Sequence, residues 1–149
     1  MKHNFLKVTA FFLLIIIVFT ACKKTKVKTK TDLLTQSTWR FDKATAFGTD
    51  ISSQIPTCIK DNIITFVSNG TGTISEGLDI CVPPTSGSLM WSFQNTETIL
   101  NLSAPLFPGG SGSFTIVTLN ETNLVISQVM TLPPPAPQIP VTVEITFKH

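Results

Sequence analysis

Several things are scarce in this chain. Histidine occurs twice, at His3 and His149, so an imidazole base or an imidazole-built metal cluster has almost no material. Charged residues make up 13% of the 149, and from Leu33 onward the cations are Arg40, Lys43, Lys60 and Lys148, four against eight carboxylates. A body with a net charge of 4 − 8 = −4 has no clustered basic face, which excludes a nucleic-acid-binding domain. One long apolar run is present, which excludes a multi-span membrane protein. No segment after Cys22 repeats its apolar residues at helical spacing over a useful length. No Gly-x-Ser-x-Gly elbow stands before a helix, and no Lys-Ser/Thr follows Gly70 and Gly72 to make a phosphate loop. Asp79 with Glu76, or Asp61 with Asp50, are the carboxylate pairs on offer for acid–base work, and nothing marks a cleft around them. An enzyme is not expected, and neither cofactor nor metal is implied.

What is present begins with an address. Met1 to Lys7 is short and cationic, and Val8 to Ala21 follows without a charge. That apolar stretch makes roughly 21 Å of helix, short of a ~30 Å hydrocarbon core. A basic flank, a short apolar core and small residues at its end describe a secretory signal peptide over residues 1–21. Phe19-Thr20-Ala21-Cys22 resembles the lipobox of bacterial lipoproteins, with Phe19 where Leu is usual. The resemblance implies that Cys22 is acylated and becomes the first residue of the mature protein. Residues 22–32 hold Lys23, Lys24, Lys26, Lys28 and Lys30 and read as a basic tether, either solvated or laid against anionic headgroups. Lys23-Lys24 resembles neither the aspartate of inner-membrane retention nor an acidic surface-export run. The expected location is the periplasmic face of an outer membrane.

With Cys22 acylated, Cys58 and Cys81 remain in an oxidising compartment, and an even remainder favours a disulfide. Asn69-Gly70 is a strong hairpin signal for a two-residue type I′ turn. In such a turn paired residues sum to 69 + 70 = 139, as do 58 + 81, which predicts that the cysteines lie directly opposite on neighbouring strands. A metal site would need more ligands, and a redox pair usually has Cys-x-x-Cys spacing, which is absent.

Residues 33–149 read as one domain of antiparallel strands. After a short helical turn at Asp32–Gln36, strands are predicted at Thr38–Ala46, Lys60–Ser68, Thr71–Leu78, Ser88–Gln94, Thr98–Ser103, Ser113–Leu119, Asn123–Met130 and Pro140–Lys148. Val141, Val143, Ile145 and Phe147 alternate with Thr142, Glu144, Thr146 and Lys148, the period-two pattern of a strand with one dry face. Eight such strands either close into an all-β, up-and-down barrel or split into a β-sandwich. The sandwich needs crossing connections, which residues 44–59, 79–87, 103–112 and 131–139 are long enough to supply.

Leu33-Leu34 before Trp39, Cys58-Ile-Lys-Asp-Asn-Ile-Ile-Thr-Phe66, Asn69-Gly-Thr-Gly-Thr73, Cys81, Trp91-Ser-Phe93 and the closing Glu144-Ile-Thr-Phe-Lys148 resemble the lipocalin-like lipoprotein family of Gram-negative envelopes. Typical lipocalins have Gly-x-Trp on the first strand, where this chain has Ser37-Thr38-Trp39. The resemblance implies a small barrel or half-open barrel in an extracytoplasmic setting, and no catalytic residues.

An eight-stranded barrel is filled by side chains or holds one small ligand. Trp39, Phe41, Phe66, Trp91, Phe93, Leu100, Leu102, Phe114, Ile116, Leu124, Ile126, Val143 and Ile145 are the expected inward set, and they either close-pack or line an apolar pocket. Leu106 and Phe107, in a Pro/Gly-rich loop, either fold over a barrel end or contact a partner or lipid. Leu132–Pro140, with five prolines, reads as a stiff connector or a groove-docking segment. Two functions follow: a carrier or sensor of a small apolar molecule within the barrel, or an accessory envelope lipoprotein that contacts another protein.

Overall fold

A computed structural model describes residues 26–131 and 139–149; the signal segment, Cys22 and residues 132–138 of the proline-rich connector lie outside the described residues. The first element among the described residues is a short helix, α1 (Lys30–Thr35), followed by β1 (Trp39–Ala46) and a two-residue strand β2 (Thr49–Asp50). A 3-10 turn at Ser52–Gln54 and a one-turn helix α2 (Thr57–Lys60) lead into β3 (Ile63–Phe66) and β4 (Thr71–Ser75). The rest is a meander of β5 (Gly87–Gln94), β6 (Ile99–Leu102), β7 (Ser113–Leu119), β8 (Asn123–Thr131) and β9 (Pro140–Lys148).

Neighbouring strands pair antiparallel from β3 to β9, and β1 closes the circle by pairing with both β9 and β3. The result is a closed eight-stranded up-and-down barrel with β2 as a flap on β1; the sandwich alternative is excluded by that closure. The seam is uneven. β1 pairs with β9 from Arg40 to Ala46 but meets β3 only at Trp39–Ile64 and Arg40–Ile63.

Burial follows the period-two pattern. Val141, Val143, Ile145 and Phe147 are buried while Thr142, Glu144 and Lys148 are exposed; Thr146, expected on the wet face, is the exception and is buried where it meets the irregularity between Phe41 and Lys43 of β1. Ten of the expected inward residues are buried, and Phe41, Phe93 and Ile116 pack against them partly buried. The helical turn begins at Lys30, two residues earlier than expected, because Thr29 caps it: its hydroxyl accepts from Asp32 N while the Asp32 carboxylate accepts from Thr29 N.

Two ends result, and they differ. The tight connections 67–70, 95–98 and 120–122 gather at one end, which α1 covers. There Leu34 is fully buried and its carbonyl accepts from Trp39 Nε1 at 2.8 Å, while the Trp39 and His149 rings stack at 3.9 Å. At the other end lie the long connections 47–62, 76–86 and 103–112, together with the end of β8 and the start of β9. This open end holds the site.

The β3–β4 hairpin corrects one expectation. Its pairs sum to 138, as in Ile64–Ile74 and Phe66–Gly72, and Val67 N donates to Thr71 O, so the loop is three residues, Ser68-Asn69-Gly70. Gly70 alone has positive φ (+86°), the arrangement of a type I turn followed by a bulge rather than type I′. Trp91 Nε1 holds the loop from across the sheet, donating to both Val67 O and Thr71 O at 3.0 Å.

Candidate functional site

Cys58 and Cys81 are bonded, with Cα atoms 5.2 Å apart, yet not as a cross-strand pair. Cys58 sits in α2 and Cys81 in the 76–86 loop beyond β4, so the shifted hairpin register does not govern them. The bridge instead ties two open-end connections together, and both contribute wall to a cleft of about 210 Å³. Ile59, Asn62, Ile74, Thr85, Pro105, Leu106, Phe107, Pro108 and Gly109 line it. Beneath it, Ile64 and Phe147 join Ile59, Asn62, Ile74, Leu106 and Phe107 around a void of about 10 Å³, room for roughly one water. Below that void the barrel is packed by its own side chains: Leu100, Phe114, Ile126, Val143 and Ile145 are at most 1% exposed. Close-packing therefore describes these lumen positions, and among the described residues the 210 Å³ cleft lies at the mouth.

The far wall is the 103–112 loop. Leu106 and Phe107 fold inward and are buried, with the Phe107 ring 6.4 Å from that of Phe147. Of their two readings, the lid over a barrel end is the one observed. Gln128, inward-facing on β8, fastens this loop by accepting from Ser111 N at 2.8 Å.

The near wall carries the site's polar groups. Glu76 Oε1 accepts from Thr85 N at 2.7 Å, Thr85 Oγ1 at 3.0 Å and Cys81 N at 3.3 Å. These bonds, led by the Thr85 amide, hold the Glu76 carboxyl below its ordinary range, against partial burial and the nearby Asp61 charge. Asn62 Nδ2 donates to Thr85 Oγ1 at 3.0 Å. Asn62 is 7% exposed, and its Oδ1 is buried and finds no donor among the described residues.

The carboxylate pairs weighed as acid–base candidates serve as loop clamps. Asp61 Oδ2 accepts from Asp79 N at 2.9 Å, and Asp50 Oδ1 accepts from Ser52 N at 2.7 Å; the Ser52 hydroxyl first, and then this amide, hold the Asp50 carboxyl below its ordinary range. Among the described residues, no three His, Cys, Asp or Glu side chains are placed to hold a metal ion. What the cleft offers a ligand is apolar walls and one uncommitted acceptor. Asn62 and Thr85 went unnoticed in the sequence, although Asn62 shares the period-two parity of the inward-facing Ile64 and Phe66.

Comparison with known proteins adds little at the level of sequence. No family model matches this chain, and no curated protein matches it. Among solved structures, bovine odorant binding protein in complex with a selenium-containing odorant aligns with a TM-score of 0.43 and 14% identity, over 85% of this chain and 76% of that one.

Proposed function

We propose that this protein is a lipid-anchored extracytoplasmic binding protein that takes up a small apolar molecule at the open end of its barrel. The observation that carries this reading is the 210 Å³ cleft lined by Ile59, Ile74, Leu106 and Phe107 above a packed lumen. An apolar cavity of about 150 Å³ binds benzene, so this one suits a ligand of roughly eight or nine heavy atoms. That is smaller than the usual drug-sized ligand site of about 300–1,000 Å³.

The anchor in this proposal is an acylated Cys22, released from a signal peptide at residues 1–21 and facing the periplasm from an outer membrane. Lys28 pairs with Glu121 at 3.0 Å, so the described chain enters the barrel at its closed end, opposite the cleft.

Native mass spectrometry of the protein extracted from its own envelope tests the binding function. A small apolar adduct on the wild type, lost in Ile74→Trp (which fills the cleft), is the expected result; an adduct-free wild type contradicts it. The partner-binding reading keeps one observation in its favour: Leu78, Val82 and Phe47 are 100%, 97% and 83% exposed on open-end loops. Cross-linking from Leu78 or Val82 to an envelope protein, with no adduct in the cleft, is the outcome that would favour it.

A further inference from the structure

The polar groups on the cleft wall form a chain with one direction. The ionised Glu76 carboxylate only accepts, and Thr85 has a single hydroxyl proton. With Thr85 Oγ1 3.0 Å from Glu76 Oε1, that proton is committed to Glu76. Thr85 Oγ1 can then only accept from the residue on its other side, so Asn62 must turn its Nδ2 toward it. Turning the amide over would set Oδ1 against the lone pairs of Thr85. The carboxylate thus decides, through one hydroxyl, which end of the Asn62 amide is left over. What is left is Oδ1, a buried acceptor without a donor among the described residues, on a residue that borders both the cleft and the void beneath it. Ile59, Ile74, Leu106 and Phe107 around it supply no polar atom of their own beyond the backbone.

Resting on the apolar-cleft reading above, we propose that the site selects apolar molecules bearing one hydrogen-bond donor, a hydroxyl or an N–H. Asn62 is the specificity-determining acceptor; Thr85 and Glu76 are positioning residues that fix its orientation. A donor on the ligand satisfies Oδ1, whereas an ether or carbonyl oxygen meets it lone pair to lone pair and leaves both groups unpaired. The expected preference for the donor-bearing ligand is roughly tenfold, the order set by an unsatisfied buried polar group.

The isomers 2-phenylethanol and benzyl methyl ether, equal in heavy atoms and differing in the donor, are the probes. Both are titrated by NMR into the full-length protein, following the Asn62 side-chain amide, which Asn62→Leu identifies by its loss. The wild type is expected to bind the alcohol about tenfold more tightly than the ether, relative to the same ratio in Asn62→Leu. Thr85→Val, which frees the amide to turn either way, narrows the preference without weakening the ether. Equal affinities for the two isomers in the wild type, unchanged by Asn62→Leu, overturn the donor selectivity and leave the apolar cleft standing. Failure of both isomers to bind saturably overturns the cleft reading and the selectivity together.

Discussion

Trp39 is the residue that joins the closed end to the barrel. It is fully buried, donates Nε1 to the Leu34 carbonyl at the end of α1, and carries the His149 ring on its face. Trp39→Phe keeps most of the apolar volume but leaves that carbonyl without its donor, so a loss of about 1–2 kcal/mol is expected in urea unfolding. Trp39→Ala adds a cavity, and about 3–5 kcal/mol is expected. Gly70 is the complementary case at the backbone. Its φ of +86° and the approach of Trp91 O make Gly70→Ala unfavourable by about 1 kcal/mol in the same assay. Both positions were visible in the sequence, one as an aromatic on the first strand and one as half of Asn69-Gly70. Asn62 was harder to see, because a lone polar residue ahead of Ile63-Ile64 is ordinary at a strand start, and only its parity with Ile64 and Phe66 turns it inward.

At the scale of elements, the open-end connections are held by a bridge and a clamp. The Cys58–Cys81 bridge closes a loop of sequence separation 23, worth about 3 kcal/mol by the chain-entropy model. Reduction, or the paired change to alanine, should lower unfolding stability by that order and raise amide exchange in α2 before the strands respond. The Glu76 clamp adds a pH dependence. Its folded carboxyl is held below the ordinary glutamate range, first by the Thr85 amide, so its stabilisation is complete above that range and is lost as pH falls through the folded value. Asp50 and Asp32 shift the same way through Ser52 and Thr29, so all three act in the same direction. Between about pH 5 and pH 3, the Thr85 and Cys81 amides should lose hydrogen-exchange protection ahead of β8 and β9, and Glu76→Gln should flatten that dependence.

The elements themselves were largely legible. Ser113–Leu119 and Pro140–Lys148 fall where alternation put them, and Thr38–Ala46 differs by one residue. The second and third strands are shorter than expected, since α2 and the Glu76 clamp take over the residues nearest the cysteines. The β3–β4 register was not legible. Asn-Gly serves a two-residue type I′ loop and a three-residue loop with a bulge almost equally well, and the choice here is made by Trp91, a residue remote in sequence. The disulfide partners followed from the even remainder of cysteines, while the cross-strand pairing expected for them is not the geometry the protein uses.

The whole molecule is a barrel with two unlike ends. Short turns and α1 seal one; long loops, the bridge, and Leu106 and Phe107 shape the other. Closure pairs β1 with both β9 and β3, and a lumen filled by side chains leaves the cleft at the mouth as the proposed binding space. That distribution could not be read from composition, because the same thirteen inward residues would line a pocket in a slightly wider barrel. Titration with ethylbenzene, followed by methyl NMR, tests the central claim most directly. Saturable shifts confined to Ile59, Ile74 and Leu106, absent in Ile74→Trp, with Ile126, Val143 and Ile145 unmoved, are the predicted result. Shifts that never saturate, or that centre on Ile126, Val143 and Ile145, would contradict it.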